Sequence, residues 1–426
     1  MSETITVRAM DAPDEYDAFF RLAAQTFARG LPLDSAAADW RRWVVESPTY
    51  RPGMVRGAFE GAALVGGYLV DERVLRIGAA HVRSGWIGGV VTHPDHRRRG
   101  IGSALMRDAL AHARARGQAV LLLNGARHFY DPFGYIDVFD ATVHHIERAA
   151  ILAQPPSPYD VRPATPADAP ALLALYARHY GPYTGSLERA LGEQEHFLRF
   201  AASVRQGVYR TAEGLPYGLP LVAAGPDGEA RGYLTFPWGP LSAFGCEAAA
   251  DDWPATLALL QHHARECERL EPLPDALEWP LPPDSITRQV LADHLPLRSL
   301  SRPLPHAGWM ASPVDLPILV DALRLVWQER QRRGMLSRSD VLDLTIDGAA
   351  WTIDLELSGE GHAGERRETT CVLELSAHQF VQLLFGYRSG GWLAAQPGWQ
   401  GSSEDAALLD VLFLSVRPWI APTDEC

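Results

Sequence analysis

The chain has 426 residues, more than one hydrophobic core normally supports, so about two to four domains are expected. Hydrophobic residues make up 47% and charged residues 21%, which excludes a disordered or fibrous protein. The formal net charge of −13 argues against broad binding to a nucleic-acid backbone and would draw cationic small molecules at low salt.

The N-terminus MSETITVRAMDAPDEY has no apolar run, and no stretch of about 18 apolar residues occurs anywhere, so neither secretion nor membrane spanning is expected. Cys246, Cys267, Cys371 and Cys426 are scattered without CxxC pairing or a histidine at ligand spacing. They indicate neither zinc nor a disulfide framework, and a reduced cytoplasm is expected. No metal is implied, and the adjacent histidines His93/His96 and His262-His263 read as surface or capping residues.

Ile5 to Met10 alternates like a strand. After Asp11-Ala-Pro-Asp, the spacing of Tyr16, Phe19, Phe20, Ala23 and Phe27 predicts an amphipathic helix. Val55–Glu60 and Ala63–Val70 flank the turn signal Glu60-Gly61 and read as a hairpin. A longer strand, His81–Thr92, ends at His93-Pro94-Asp95. From Gly100 to Gly117 the period becomes helical, with Ile101, Leu105, Ala109 and Ala113 on one side, and Ala119–Leu123 is a short apolar strand. This is a mixed α/β unit ending near residue 150, followed by a linker at Gln154-Pro-Pro-Ser-Pro-Tyr159.

A second segment begins at Tyr159. Its opening echoes the first, and Gly232-Tyr-Leu-Thr-Phe resembles Gly66-Gly-Tyr-Leu-Val, so it reads as a divergent second copy without the glycine-rich loop. A third starts near Gly308, with a helix over Pro317–Arg332, strands at Val341–Ile346 and Trp351–Leu357 joined by the turn Asp347-Gly348, a further strand at Cys371–Leu375, and helices at Ala377–Leu384 and Asp405–Leu412.

The most informative run is Val90-Val91-Thr92-His93-Pro94-Asp95-His96-Arg97-Arg98-Arg99-Gly100-Ile101-Gly102-Ser103. An apolar strand enters a basic, glycine-containing turn that opens a helix. Free amides at a helix N-terminus form an anion site, glycines allow close approach, and guanidinium groups pair with phosphate oxygens. The expected guest is a pyrophosphate. A Rossmann fingerprint is disfavoured, because here the turn follows a hairpin and a long strand rather than an initial strand.

Arg97-x-x-Gly100-x-Gly102 resembles the acetyl-CoA motif Arg/Gln-x-x-Gly-x-Gly/Ala of the GNAT acetyltransferases. Gly66-Gly67 stands where that family has a Val-Gly-Gly turn. His128-Phe129-Tyr130-Asp-Pro-Phe133-Gly134-Tyr135 resembles its Phe-Tyr-x-x-x-Gly-Phe segment. The whole chain is similar to the Eis (enhanced intracellular survival) group of N-acetyltransferases. The resemblance implies a GNAT domain over 1–150, a degenerate GNAT-like domain over 151–304 and a sterol carrier protein-like domain over 305–426.

It further implies acetyl-CoA as co-substrate and transfer to a primary amine of a small cationic molecule by direct attack. Tyr130 would be the general acid and the carboxylate of Cys426 the base. The backbone at Val90 and Thr92, with Arg97, Arg98, Gly100, Gly102 and Ser103, would bind the cofactor. Relatives end in an aromatic where this chain has Cys426, and they form ring-like oligomers, so a homo-hexamer is expected. An acceptor pocket is expected between the first and third segments, with Phe27, Asp34, Trp40, Trp43 and Trp86 available to line it. The competing functions are a non-catalytic acetyl-CoA sensor and a lipid carrier working through the C-terminal domain.

Overall fold

In the computed structural model the described residues are 4–28, 31–206, 218–236, 246–333, 341–355, 370–397, 399, 401–413 and 418–424. The first segment runs β1 (Ile5–Ala9), α1 (Pro13–Phe27), α2 (Leu33–Val45), β2 (Val55–Glu60), β3 (Ala63–Ile77), β4 (Ala80–Thr92), α3 (Ile101–Ala115), β5 (Val120–Gly125), β6 (Ile136–Asp137) and β7 (Ala141–Glu147). After the short α4 (Arg148–Leu152) come β8 (Asp160–Pro163), α5 (Ala169–His179), α6 (Leu191–Gln206), β9 (Leu221–Ala224), β10 (Ala230–Thr235), β11 (Glu247–Ala250), α7 (Trp253–Glu266), β12 (Ala276–Pro280), α8 (Ile286–His294) and β13 (Leu297–Arg302). The last stretch holds β14 (Gly308–Pro313), α9 (Leu316–Arg333), β15 (Val341–Ile346), β16 (Ala349–Asp354), β17 (Thr370–Leu375), α10 (Ala377–Leu384), α11 (Gly390–Ala394) and α12 (Ser403–Leu412).

Local chemistry accounts for these elements. α1 opens with Pro13 at its first turn and Asp14 and Glu15 beside the positive end of its dipole, and it buries Tyr16, Phe19, Phe20 and Ala23. The Asp347-Gly348 turn between β15 and β16 has both residues at positive φ, 46° and 81°, as a two-residue hairpin requires. β3 continues past Val70 to Ile77 through the charged run Asp71-Glu-Arg, whose side chains are only half-buried.

The order strand, two helices, three antiparallel strands, helix, strand occurs twice, from β1 to β5 and from β8 to β12. Each repeat then borrows a strand from the other. β14 inserts between β5 and β6 in a seven-stranded sheet of order β1-β2-β3-β4-β5-β14-β6, and β7 inserts between β12 and β13. The boundaries expected at 150 and 304 lie just past β7 and just before β14.

A further sheet, β16-β15-β17, packs with α9, α10 and α12 onto the far end of the β3–β4 hairpin. Trp86 lies in this core, fully buried and edge-on to Trp309 at 5.1 Å between ring centroids. It is a core packing residue and does not line the cleft described below. Among the described residues no helix is long and apolar enough to cross a membrane.

Candidate active site

β4 is the strand on which the site is built. Its first half has two partners, β3 on one side and β5 on the other, the latter parallel from Ser84↔Val120 to Ile87↔Leu123. Beyond Ile87 the pairing with β5 stops while β3 stays attached as far as Gly66↔Thr92. A wedge opens between the two strands.

The parting coincides with a bulge. Gly89 has φ +60° and lies where the β3 register shifts between Gly67 and Leu69, and the extra residue bends the strand. Glycine is required there, because a Cβ would meet the rings of Phe19 at 3.3 Å and Trp40 at 3.6 Å in a left-handed backbone. Past the bulge, the His93 amide donates to Val65 O at 2.9 Å, toward β3. Amides alternate along a strand, so those of Thr92 and Val90 point the other way, into the wedge.

α3 starts beside this wedge. A Cβ on Gly66 would sit 3.0 Å from Ile101 Cγ2, which fixes the helix end against β3. Farther along, Asp108 anchors α3 by accepting from Arg56 Nη2 at 3.0 Å and Tyr68 Oη at 2.8 Å. Gly100 caps the helix with φ +80°, and a Cβ there would meet nothing within 4 Å. Among the described residues the amides of Gly100, Ile101, Gly102 and Ser103 have no acceptor. The result is an open anion seat with the helix dipole behind it.

The three arginines of the turn divide their work. Arg99 is tied to Glu60, with one contact at 3.1 Å, and this pairing is shared with His96. Arg97 and Arg98 are exposed, and no acid pairs with them among the described residues. They are the guanidinium groups available to a phosphate.

Tyr130 closes the wedge from the other side. Its ring lies on Gly125, where a Cβ would be 2.5 Å from Cδ2, and edge-on to Phe129 and Tyr135. Phe129 in turn covers Gly102, where a Cβ would be 3.0 Å from its ring. Burial pushes the Tyr130 phenol up to about 12. Among the described residues nothing hydrogen-bonds its hydroxyl.

Across the bulge from the wedge lies a cleft enclosing about 960 Å³ of empty space, part of it open solvent. Trp40, Trp43, Leu69 and Asp71 form one wall; Glu193, His196, Arg189 and Glu247 form the other, with Thr423 and Asp424 of the C-terminal tail between them. The cleft is thus lined by the first two segments together with Thr423 and Asp424 of the third. Trp43 stacks on His196 at 4.8 Å, and His196 Nε2 donates to Trp43 O at 3.1 Å.

The cleft floor is a buried ion network. Arg189 donates to Glu247 through both terminal nitrogens, at 2.9 and 2.8 Å, and through Nε to Asp424 Oδ1 at 2.9 Å, while its guanidinium lies 3.6 Å from the centroid of the Tyr176 ring. Burial opposes these charges, yet attraction wins. Glu247 is held below the usual carboxylate range and Arg189 above its own. Glu193, 2.9 Å from Arg73, is shifted the opposite way, because burial outweighs its partner. With Asp71, the cleft sets four carboxylates against the two guanidinium groups of Arg73 and Arg189.

Of the residues singled out from sequence, Val90, Thr92, Gly100, Gly102, Ser103 and Tyr130 converge on the wedge, and Arg97 and Arg98 flank it. Trp40 and Trp43 reach the cleft. Phe27 is exposed at the outer edge of Trp40, and Asp34 is exposed and paired with Arg21. Cys426 lies outside the described residues. His263 is buried and accepts from Trp279 Nε1 at 3.2 Å, so it is a core group and not a surface one. Arg189, Glu193, His196, Glu247 and Asp424 carried no sequence signal, since their meaning arises only from the pairing of the two repeats. At the corresponding helix of the second repeat Asp252 caps α7, accepting from Ala255 N at 2.8 Å, and so occupies the position Gly100 leaves open in α3.

Residues 6–136 match the family described as acetyltransferase (GNAT) domain. They are similar to a GNAT domain. The chain is an enzyme built on it, and the domain implies an acyl-CoA as donor. Over 332 residues the chain is 28% identical to an uncharacterized N-acetyltransferase of Streptomyces coelicolor, covering 70% of this chain and 78% of that protein. A GCN5-related N-acetyltransferase from Kribbella flavida has the same fold along the whole length, with TM-score 0.69, 21% identity and coverage of 100% and 99%. Eis1 from Mycobacterium abscessus follows at TM-score 0.60 and 18% identity, with coverage of 97% and 99%.

Proposed function

We propose that this enzyme transfers the acetyl group of acetyl-CoA to a primary amine of a small cationic molecule, such as a polyamine, an aminoglycoside-like or a lysine-like compound. The observation that carries the reading is the seat at the start of α3, whose unpaired amides and open Gly100 face the same wedge as Val90, Thr92 and Tyr130. The amides of residues 100–103, with Arg97 and Arg98, hold the diphosphate. The amides of Val90 and Thr92 hold the pantetheine arm and polarise the thioester carbonyl, and two such donors supply several kcal/mol to the transition state.

The amine enters from the cleft, where the excess of carboxylates favours a cation and Trp40 and Trp43 are among the lining residues. Its nitrogen attacks the carbonyl carbon, the carbon–sulfur bond breaks, and Tyr130 donates its hydroxyl proton to the departing sulfur. The carboxylate of Cys426 takes the proton released by the amine.

The likeness to the Eis group extends the reading to a cytoplasmic homo-hexamer with a sterol carrier protein-like C-terminal domain. Titration with acetyl-CoA, followed by thiol release screened against polyamines, aminoglycosides and lysine peptides, tests the reading. Saturable binding with amine-dependent release is expected. Failure of the intact protein to take up acetyl-CoA would overturn it.

A further inference from the structure

Two histidines that are remote in sequence meet at the segment that carries Tyr130. His128 Nδ1 lies 3.1 Å and His306 Nδ1 3.0 Å from the same oxygen, Asp131 Oδ2, and the two imidazole rings are 4.5 Å apart between centroids. The three ligand atoms all fall within 4.8 Å of one another. The other carboxylate oxygen, Asp131 Oδ1, is buried and has no hydrogen-bond partner among the described residues.

The backbone is committed to this arrangement. His128 and His306 both hold the left-handed conformation, at φ +60° and +57°, a state that costs of order 1–3 kcal/mol and persists only where its surroundings impose it. The His128 amide donates to His306 O at 2.9 Å, and the His306 amide to Asp137 Oδ2 at 2.9 Å. The two loops are thus tied to each other by a backbone bond, and the His306 amide is held in addition by the Asp137 carboxylate.

We propose that His128, Asp131 and His306 form a binding site for a divalent transition-metal ion of the zinc type. Two imidazoles and a carboxylate form a donor set that zinc and its neighbours prefer, whereas magnesium and calcium favour all-oxygen shells. Ligand atoms about 2.1 Å from a tetrahedral ion stand about 3.4 Å apart, so the observed nitrogen-to-oxygen distances need to open by only a few tenths of an ångström. Each imidazole would offer an unprotonated Nδ1 to the ion. His128 and His306 are partly exposed, leaving an entry path and an open position for water.

Such an ion would brace the segment holding Phe129 and Tyr130 to the loop before β14. Sequence gave no hint of this, because His306 lies far from the other two ligands along the chain. The proposal is independent of the acyl-transfer reading, since it is read by binding alone.

The test is equilibrium dialysis of the full-length protein, stripped with chelator and then dialysed against Zn²⁺ alone. One equivalent of saturable binding is expected. Affinity should fall at least tenfold in Asp131→Asn and in His306→Ala and be kept in His96→Ala. Zn²⁺ should also raise the unfolding temperature of the parent and not that of Asp131→Asn, an isosteric change that keeps the fold should His306→Ala lose it. Absence of saturable uptake, or uptake unchanged in Asp131→Asn, would overturn the proposal.

Discussion

Arg189 and Asp424 are joined by a 2.9 Å bond from Nε to Oδ1 inside the cleft wall, although one precedes α6 and the other lies in the C-terminal tail. The same guanidinium also satisfies Glu247, so one cation holds two buried acids. Removing it leaves both without their cation. Arg189→Ala is expected to cost about 3–5 kcal/mol of stability, as for a broken buried pair. Asp424→Asn, which spares the Arg189–Glu247 bonds, should cost less and loosen the tail. Urea unfolding ranks the two, and limited proteolysis near the C-terminus reports the tail.

Arg97 and Arg98 flank the α3 seat with no acid partner among the described residues, whereas Arg99 is already engaged by Glu60. Loss of one charge-assisted contact to a phosphate is worth about 1.5–3 kcal/mol when shielded and less at an exposed site. Arg98→Ala is therefore expected to weaken acetyl-CoA binding by roughly tenfold and to flatten its salt dependence. Arg99→Ala should weaken it less. Calorimetry at two ionic strengths separates them.

Tyr130→Phe removes one hydroxyl and keeps the ring on Gly125 and Tyr135. General acid assistance is worth about 10²–10⁴ in rate, so kcat should fall at least 100-fold with acetyl-CoA affinity within about twofold. Equal losses in both would place Tyr130 in binding instead.

Burial raises the Glu193 carboxyl above its ordinary range. A raised acid is protonated at higher pH than usual, so the cleft loses this negative charge early on acidification. KM for a cationic amine should climb as pH falls from 7 toward 5. Glu193→Gln should start from a higher KM at pH 7 and show a shallower climb. Parallel pH profiles of wild type and variant would show no such coupling.

Much of the first segment was legible because its signals are local. The spacing of Tyr16, Phe19, Phe20 and Ala23 specified α1, and Arg97, Gly100 and Gly102 marked the strand-to-helix turn. Asp347-Gly348 announced its hairpin. Asp71, Glu72 and Arg73 concealed the extension of β3, since charge reads as loop although these residues pair with Trp86, Gly85 and Ser84.

The cleft was hidden for a different reason. Arg189, Glu193 and Glu247 belong to a repeat whose own helix start is plugged by Asp252, so nothing nearby in sequence marks them as part of a site. Trp86 looked as available as Trp40. Their elements separate them: Trp86 on β4 enters the core beside Trp309, whereas Trp40 on α2 reaches the bulge at Gly89.

The traded strands β7 and β14 have a mechanical consequence. Because each lobe carries a strand of the other hydrogen-bonded inside its own sheet, a clamshell opening would have to break two ladders at once. Entry to the groove at Trp43 and His196 must then depend on side chains and loops around a stiff frame, and the two lobes should melt together as one cooperative unit.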